Sequence, residues 1–429
     1  MTTVAEPVYW SNTQKIVFRF FMVFFVLYIF FNPNGVLPYS DNLFGIYIEP
    51  FHKFIPWMAA HVLHLSKPVT VFTNGSGDTT YDYLTILMLT VISVIAAAIW
   101  SVTGRKTRNY NKLFYWLTVV IRYYVAITMI GYGFFKVIKL QFPSPSFGRL
   151  LEPVGKMSPM GLAWTYLGYS TGFNYFAGFA EIAVGLLLFF RKTSTLGAIL
   201  GLVVAGNIMA INYCFDVPVK LLSTFLVLMC IFLLVRDATR LINFFMLNRE
   251  AKAANLTPHR FKARWKNITL TAAKYLLILY TLFFDLTGAL ESEKTYGDKA
   301  KKPPLYGLYD VDTFVKNRDT LPPLTTDTVR WNKFIINYQD GAQIRMMNDS
   351  MTYYAFKPDV KNHTAIANSY ADTAAKFHLT YTTPKPDVME LRGTWKKDSI
   401  YVRMHKVDPN SFRLMGRGFH WINEYPFNR

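Results

Sequence analysis

The chain has 429 residues, of which 52% are hydrophobic and 17% are charged. A high apolar share beside a low charged share argues against an ordinary cytosolic enzyme. The formal net charge is +19, but the basic residues fall between long apolar runs, as membrane orientation signals do. We therefore expect membrane lipid, and not nucleic acid, as a partner.

Seven segments are apolar over roughly the 17–25 residues that a helix needs to cross a bilayer. The first has no small-residue cleavage site after it, so the sequence predicts an uncleaved anchor and not a signal peptide. Residues 1–289 are accordingly predicted to form a transmembrane domain. The segments lie near residues 16–32, 82–101, 113–139, 172–190, 195–214, 219–235 and 268–289.

Lys and Arg are unevenly distributed among the segments that connect the predicted spans. Most of them fall at 105–112, at 191–192 and in a basic linker at 236–267. Because cytoplasmic loops are enriched in Lys and Arg, we expect the N-terminus and the linker to be cytoplasmic. An odd number of spans then places residues 290–429 outside the cytoplasm, and the predicted location is a bacterial inner membrane.

Residues 46–65 are apolar but are interrupted by two prolines and several polar residues. We expect a helix that lies in the outer membrane interface and does not span it. Its histidines, His52, His61 and His64, could approach a metal or a haem, but no HExxH motif accompanies them. We therefore predict no metal site.

Few motifs for catalysis are present. Cys214 and Cys230 both lie in apolar segments and form no CxxC pair, so thiol redox chemistry and a Cys-ligated zinc are not expected. The chain also lacks a P-loop, a GxGxxG motif and a GxSxG motif. No bound cofactor can be read from these patterns.

After Leu290 the sequence changes to short runs of alternating apolar and polar residues. Ile400, Val402 and Met404, for example, share one face of a predicted strand. Such alternation predicts about six to eight antiparallel strands over 290–429, in a sandwich or a small barrel. The aromatic tail after Arg417 is expected to dock on the sheet or the membrane, and a binding surface is the alternative.

Two ionisable residues lie deep within predicted spans, where charge is costly and marks a functional candidate. Arg122 and Glu181 both fall near the midplane of consecutive antiparallel helices. The sequence predicts an Arg122–Glu181 ion pair. This pair could lock the bundle, or it could form a polar site for a head group, a proton or a substrate.

Other polar residues lie toward the outer ends of the spans. Lys136 could extend its long side chain to the interface, or it could meet an aspartate such as Asp285. Asn207 and Asn212 could join helices through hydrogen bonds. Together with Glu181, Lys136 and Asp285, they could instead line a polar pocket that opens outward.

Two adjacent predicted helices also share a spacing pattern. An Arg and a Gly-x-x-Lys occupy the first helix, and a Gly-x-x-Glu-x-x-x-Gly occupies the second. With this order, residues from about 113 to 235 resemble the DoxX family of membrane proteins, whose members include a subunit of a thiosulfate:quinone oxidoreductase. The resemblance implies a four-helix membrane core. It is carried by Arg122, Gly133, Lys136, Gly178, Glu181 and Gly185.

The resemblance implies a membrane component of a quinone- or sulfur-linked redox system, with a quinone as the candidate cofactor. Arg122, Lys136 and Glu181 are the predicted catalytic residues. The two cations would bind or polarise an anionic or quinonoid oxygen, and Glu181 would orient Arg122 or relay a proton. The predicted substrate-binding residues are Asn207, Asn212 and Asp285.

Two further functions are compatible with the sequence. One is a non-enzymatic scaffold or lipid-handling protein whose outer domain binds an envelope partner. The other is a small-solute transporter, although no inverted repeat or pair of broken helices is evident. A site requires a cavity bordered by Lys136, Glu181 and Asn207, whereas a scaffold requires a closed core and an exposed aromatic patch on the outer domain.

Overall fold

The structure is a computed structural model that describes residues 10–33, 41–71, 75–254, 256, 260–370 and 376–428. These residues form two compact units. The helical unit comprises the described residues of Met1–Gln141 and Thr171–Ser292. The barrel unit comprises those of Phe142–Ser170 and Glu293–Arg429.

Helices dominate the first part of the chain. They are α1 (Asn12–Phe31), α2 (Asp41–His61), α3 (Thr80–Thr103), α4 (Asn111–Val137), α5 (Phe147–Leu151), α6 (Pro159–Tyr169), α7 (Thr171–Phe189), α8 (Ser194–Cys214), α9 (Lys220–Val235), α10 (Ala238–Phe245) and α11 (Arg264–Thr295). Helices α5 and α6, with a short 3-10 helix between them, belong to the barrel unit.

Six of the described helices are long and apolar enough to cross a membrane: α1, α3, α4, α7, α8 and α11. Each coincides with a predicted apolar segment. The remaining predicted segment corresponds to α9, which has 16 residues and reaches that length only together with α10, from which it is bent by 83°. Helix α10 lies within the predicted basic linker, and α2 lies at the predicted interfacial segment with Pro50 and Pro56 inside it.

Local signals in the sequence explain where two of these helices begin. Ser11 caps α1 and Thr79 caps α3, each in a capping box with the residue three positions later. Helix α4 is the most buried of the long helices, with 61% of its most apolar window inside the protein. The apolar core of the helical unit therefore forms around α4.

The C-terminal part of the chain forms strands. They are β1 (Gly307–Lys316), β2 (Asp319–Thr320), β3 (Trp331–Tyr338), β4 (Gly341–Met346), β5 (Met351–Asp359), β6 (Thr364–Ser369), β7 (Lys376–Lys385), β8 (Val388–Trp395) and β9 (Asp398–Lys406). A short helix, α12 (Arg413–Gly416), follows them.

The strands close into an antiparallel barrel. Each strand from β3 to β9 pairs with the next, and β1 pairs with both β3 and β9. The barrel thus has eight strands, with β2 as a two-residue extension paired to β1. Of the two predicted architectures, the small barrel is confirmed.

Large side chains fill the interior of the barrel. Trp331 and Trp395 contact each other at a ring distance of 4.9 Å, and Trp331 stacks on Phe334. Ile400, Val402 and Met404 are buried together, as the alternation predicted. The barrel interior is therefore a packed core.

One patch on the outside of the barrel is apolar and is covered by the 142–170 segment. Phe147 of α5 packs against Leu308 of β1 and Ile335 of β3, and all three are buried. Nearby, Arg345 of β4 donates a hydrogen bond to the carbonyl of Leu151 at 3.0 Å. This segment, inserted between α4 and α7, therefore completes the surface of a barrel that lies much later in the chain.

Candidate functional site

Helices α4 and α7 approach each other more closely than ordinary side chains allow. A Cβ atom placed on Gly133 would lie 2.8 Å from the carbonyl oxygen of Gly178, and one placed on Gly185 would lie 2.6 Å from that of Ala126. Small residues permit this kind of backbone contact between helices. The glycines that carry the DoxX resemblance are therefore the residues that bring these two helices together.

A buried ion pair lies beside this contact. Lys136 Nζ donates to Glu181 Oε1 at 2.6 Å, and the two side chains are only 6% and 1% exposed. The other carboxylate oxygen, Glu181 Oε2, is buried and has no hydrogen-bond partner within the described part of the chain. Removing two charges from water is costly unless they are paired, so each of these residues requires the other.

The predicted Arg122–Glu181 ion pair is wrong. Arg122 instead donates from Nε and Nη2 to the carbonyl of Leu188, at 2.9 and 2.7 Å. Leu188 lies in the last turn of α7, where carbonyls have no partner within the helix. Arg122 therefore caps α7 at the opposite end of the helix pair from Lys136.

The direction of helical side chains explains this outcome. Lys136 and Glu181 each lie three residues after a member of the Gly133–Gly178 contact, and the two helices are antiparallel. Because helical side chains tilt toward the N-terminus of their helix, both point back to the contact and meet there. Arg122 lies nearer the middle of α4, and its side chain tilts toward the N-terminus of that helix, away from Glu181.

The other predicted site residues are dispersed. Asn212 is buried and donates from Nδ2 to Val219 O and Ser223 Oγ, so it joins the end of α8 to the start of α9. Asn207 is exposed on α8. The predicted grouping of both asparagines with the buried ion pair is therefore wrong, because Asn207 is exposed and Asn212, at the end of α8, bonds to the start of α9.

Asp285 of α11 lies beside a different face of α4. A Cβ atom on Gly131 would lie 3.7 Å from Asp285 Oδ2. That oxygen is buried and lacks a hydrogen-bond partner among the described residues. Asp285 thus places another carboxylate among the helices, separate from the Lys136–Glu181 pair.

The histidines of α2 have local contacts. His61 Nδ1 lies 3.0 Å from the carbonyl of Trp57, one turn earlier in the same helix, and His52 lies 3.4 Å from Glu49. The described residues contain no group of three or more His, Cys, Asp or Glu side chains that could hold a metal ion.

A cavity that sequence reasoning did not predict lies at the other end of α4. Its volume is about 860 Å³, and it is lined by residues of α1, the first turns of α4, the α7–α8 turn and the end of α9. Its lining includes three basic residues, Lys112, Arg191 and Arg236. These residues come from three separate segments, so no local pattern could have brought them together.

The aromatic tail of the barrel unit is exposed. Trp421 is 91% exposed, and Phe419 and Tyr425 are also largely open. Within the tail, Phe419 contacts Trp421 at 5.0 Å and Arg417 lies over the ring of Phe427. The predicted docking of the tail on the sheet is therefore wrong for these residues, and its docking on a membrane stays a prediction.

Comparison with known proteins places the chain beside a bacterial relative. No family model matches the chain, and no solved structure matches it. The chain is 35% identical over 131 residues to the uncharacterized protein YwoB of Bacillus subtilis (strain 168), a match that covers 30% of this chain and 82% of that protein. With this identity over most of the relative's length, the chain belongs to the family of YwoB.

Proposed function

We propose that the helical unit is embedded in a bacterial inner membrane, with the N-terminus in the cytoplasm and the barrel unit outside. The length and apolar surface of six helices support this proposal. The direction of the helices also supports it. Helix α11 brings Lys274 beside Phe190 and, later, Asp285 beside Gly131, so it runs in the same direction as α4. Helices α4 and α11 thus end at the same side of the helical unit.

Cysteine labelling in intact cells tests this orientation. In a Cys214→Ser background, Lys397→Cys should react with a membrane-impermeant maleimide. Lys192→Cys should react only after the membrane is permeabilised. The reverse result would contradict the orientation, and recovery of the protein in the soluble fraction would contradict membrane insertion.

We further propose that the helical unit is a DoxX-like membrane component of a quinone- or sulfur-linked redox system. The Lys136–Glu181 pair carries this proposal, because it places a cation and a carboxylate in the apolar interior at the motif residues of the resemblance. Lys136 would polarise a quinone oxygen, and Glu181 would exchange a proton with it. Arg122 would not contact the quinone. It would hold the end of α7 in place through its hydrogen bonds to the Leu188 carbonyl.

Co-purification of quinones tests the proposal. The protein is purified in mild detergent and extracted, and the extract is analysed for quinones by mass spectrometry. The Lys136→Met/Glu181→Leu double variant removes both charges together, so it leaves neither one buried alone. A matched control, Lys316→Met/Asp398→Asn, removes an ion pair of the barrel unit.

We expect a quinone to co-purify with the wild type and with the control, and not with the Lys136/Glu181 variant. If the wild type carries no quinone, or if the folded double variant retains it, the pair is structural and the redox proposal fails.

A scaffold that binds an envelope partner is the second candidate. The exposed aromatic tail favours it, and so does the burial of Lys136 and Glu181, whose side chains are 6% and 1% exposed. A photo-crosslinking amino acid at Trp421 should then form one defined covalent adduct with an envelope protein. The same group at Lys397, on the β8–β9 turn, should not. Equal adducts from both positions would count against a specific partner at the tail.

A further inference from the structure

We propose that the cavity at the start of α4 binds an anionic glycerophospholipid of the surrounding bilayer. This inference depends on membrane insertion of the helical unit but not on any redox role. The cavity and the Lys136–Glu181 pair lie toward opposite ends of α4, so the two proposals concern separate sites.

The basic side chains that line the cavity favour an anionic ligand. Lys112, Arg191 and Arg236 line it, and its described lining contains no acidic residue. The nearest carboxylate to Arg236 is Asp237 at 3.0 Å, which is shared with Arg240 at 2.8 Å. The described lining thus carries more basic than acidic side chains, and this charge would attract a phosphate group.

The arginine at the cavity wall is oriented by an aromatic ring. The guanidinium of Arg191 lies 4.9 Å from the ring centre of Tyr115, which also lines the cavity. Stacking on an aromatic face holds the planar guanidinium in one orientation. A guanidinium held in this way presents parallel N–H donors that match the oxygens of a phosphate.

The floor of the cavity is aromatic and suits a hydrocarbon chain. Phe21 and Phe114 each contact Phe232, with ring centres 6.0 and 5.6 Å apart. A soluble anion such as inorganic phosphate would leave this apolar floor uncovered. A molecule with a charged head and an apolar chain covers both parts of the lining.

The cavity also opens toward the outside of the helical unit. Val17 of α1 and Val235 of α9 lie at its edge and are 47% and 57% exposed. In a membrane these two side chains would face lipid, so acyl chains could leave the cavity between α1 and α9. Because the basic residues lie where α4 begins and α9 ends, the phosphate would be held at the level of the lipid head groups.

Native mass spectrometry tests the proposal. Delipidated protein in mild detergent is incubated with equal amounts of phosphatidylglycerol and phosphatidylethanolamine that carry identical acyl chains. The wild type should retain phosphatidylglycerol preferentially. Each single substitution of a basic lining residue should lower the retention of phosphatidylglycerol about fivefold, as expected for one charge near an anionic lipid.

The variants distinguish lipid binding in the cavity from a general effect of surface charge. Lys112→Gln and Arg191→Gln remove charges from the lining, whereas Lys192→Gln removes an exposed neighbouring charge that does not line the cavity. Val17→Trp fills the opening and should lower retention of both lipids. Lys112 is exposed, so its substitution tests the proposal even if the Arg191 variant fails to fold.

Three results would overturn the proposal. One is equal retention of the two lipids by the wild type. Another is a Lys112→Gln variant that behaves like Lys192→Gln. The third is displacement of the lipid by inorganic phosphate, which would identify a site for a soluble anion.

Discussion

Lys136 and Glu181 are 45 positions apart in the sequence, yet their side chains meet at 2.6 Å beside the Gly133–Gly178 backbone contact. The glycine contact and the ion pair depend on each other. Helices that are close enough for the backbone contact bring the two side chains within reach, and the ion pair in turn joins the helices in an apolar interior.

Removing one member of this pair should be more harmful than removing both. Glu181→Leu or Lys136→Met alone leaves a buried charge without a partner, which typically costs about 3–5 kcal/mol of stability. The double variant replaces the pair by apolar groups and should recover most of that loss. Thermal unfolding in detergent measures the difference. A double variant that is no more stable than the single variants would show that the pair is not energetically coupled.

The glycines at the α4–α7 contact should not tolerate a methyl group. Gly178→Ala would place a Cβ 2.6 Å from the carbonyl of Gly133, so the helices would have to separate and weaken the adjacent ion pair. Gly206→Ala in α8 is the matched control, since no atom lies within 4 Å of the added Cβ. The control should be neutral or slightly stabilising, because Ala is the better helix former. Equal unfolding temperatures for the two variants would refute this account.

The cover of the barrel by α5 should contribute to the stability of the barrel unit. Phe147→Ala removes a buried ring from Leu308 and Ile335, and such truncations cost about 3–5 kcal/mol. Phe427→Ala, in the exposed tail, is the control. Hydrogen exchange followed by mass spectrometry should show faster exchange in β1 and β3 of the Phe147 variant only. Unchanged exchange in those strands would mean that α5 does not stabilise them.

One carboxylate of the barrel unit should make stability depend on pH. Hydrogen bonds from Lys316 and Asn317 lower the pKa of Asp398 below its ordinary range. Because the folded-state pKa is lowered, the stabilisation is present above the ordinary pKa of an aspartate and is lost as the pH falls through the folded-state pKa. Wild type and Asp398→Asn should therefore differ in unfolding temperature at neutral pH and converge in acid. A difference that is constant with pH would exclude ionisation of Asp398 as its source.

Much of the fold could be predicted from the sequence because its signals are local. The apolar run that predicts a span at 113–139 corresponds to α4 at Asn111–Val137, since the length of such a run reports directly on a helix. The alternation of Ile400, Val402 and Met404 predicted their shared burial, because alternate side chains of a strand point to the same face.

The errors concern contacts between distant parts of the chain. The depth of Arg122 and Glu181 along their helices was predicted, but depth alone does not tell which way a side chain tilts, so the wrong cation was assigned to Glu181. The cavity could not be predicted either, because the segments that contribute Lys112, Arg191 and Arg236 are separated along the chain.

The contact of Phe147 with Leu308 and Ile335 joins segments that are synthesised at different times. A ribosome completes α5 long before it reaches β1 and β3, and domains near the N-terminus generally fold first during synthesis. Phe147 therefore stays without its partners until Leu308 and Ile335 have been translated. A chain that ends after α11 lacks Leu308 and Ile335, so we expect its Phe147 to remain without these contacts.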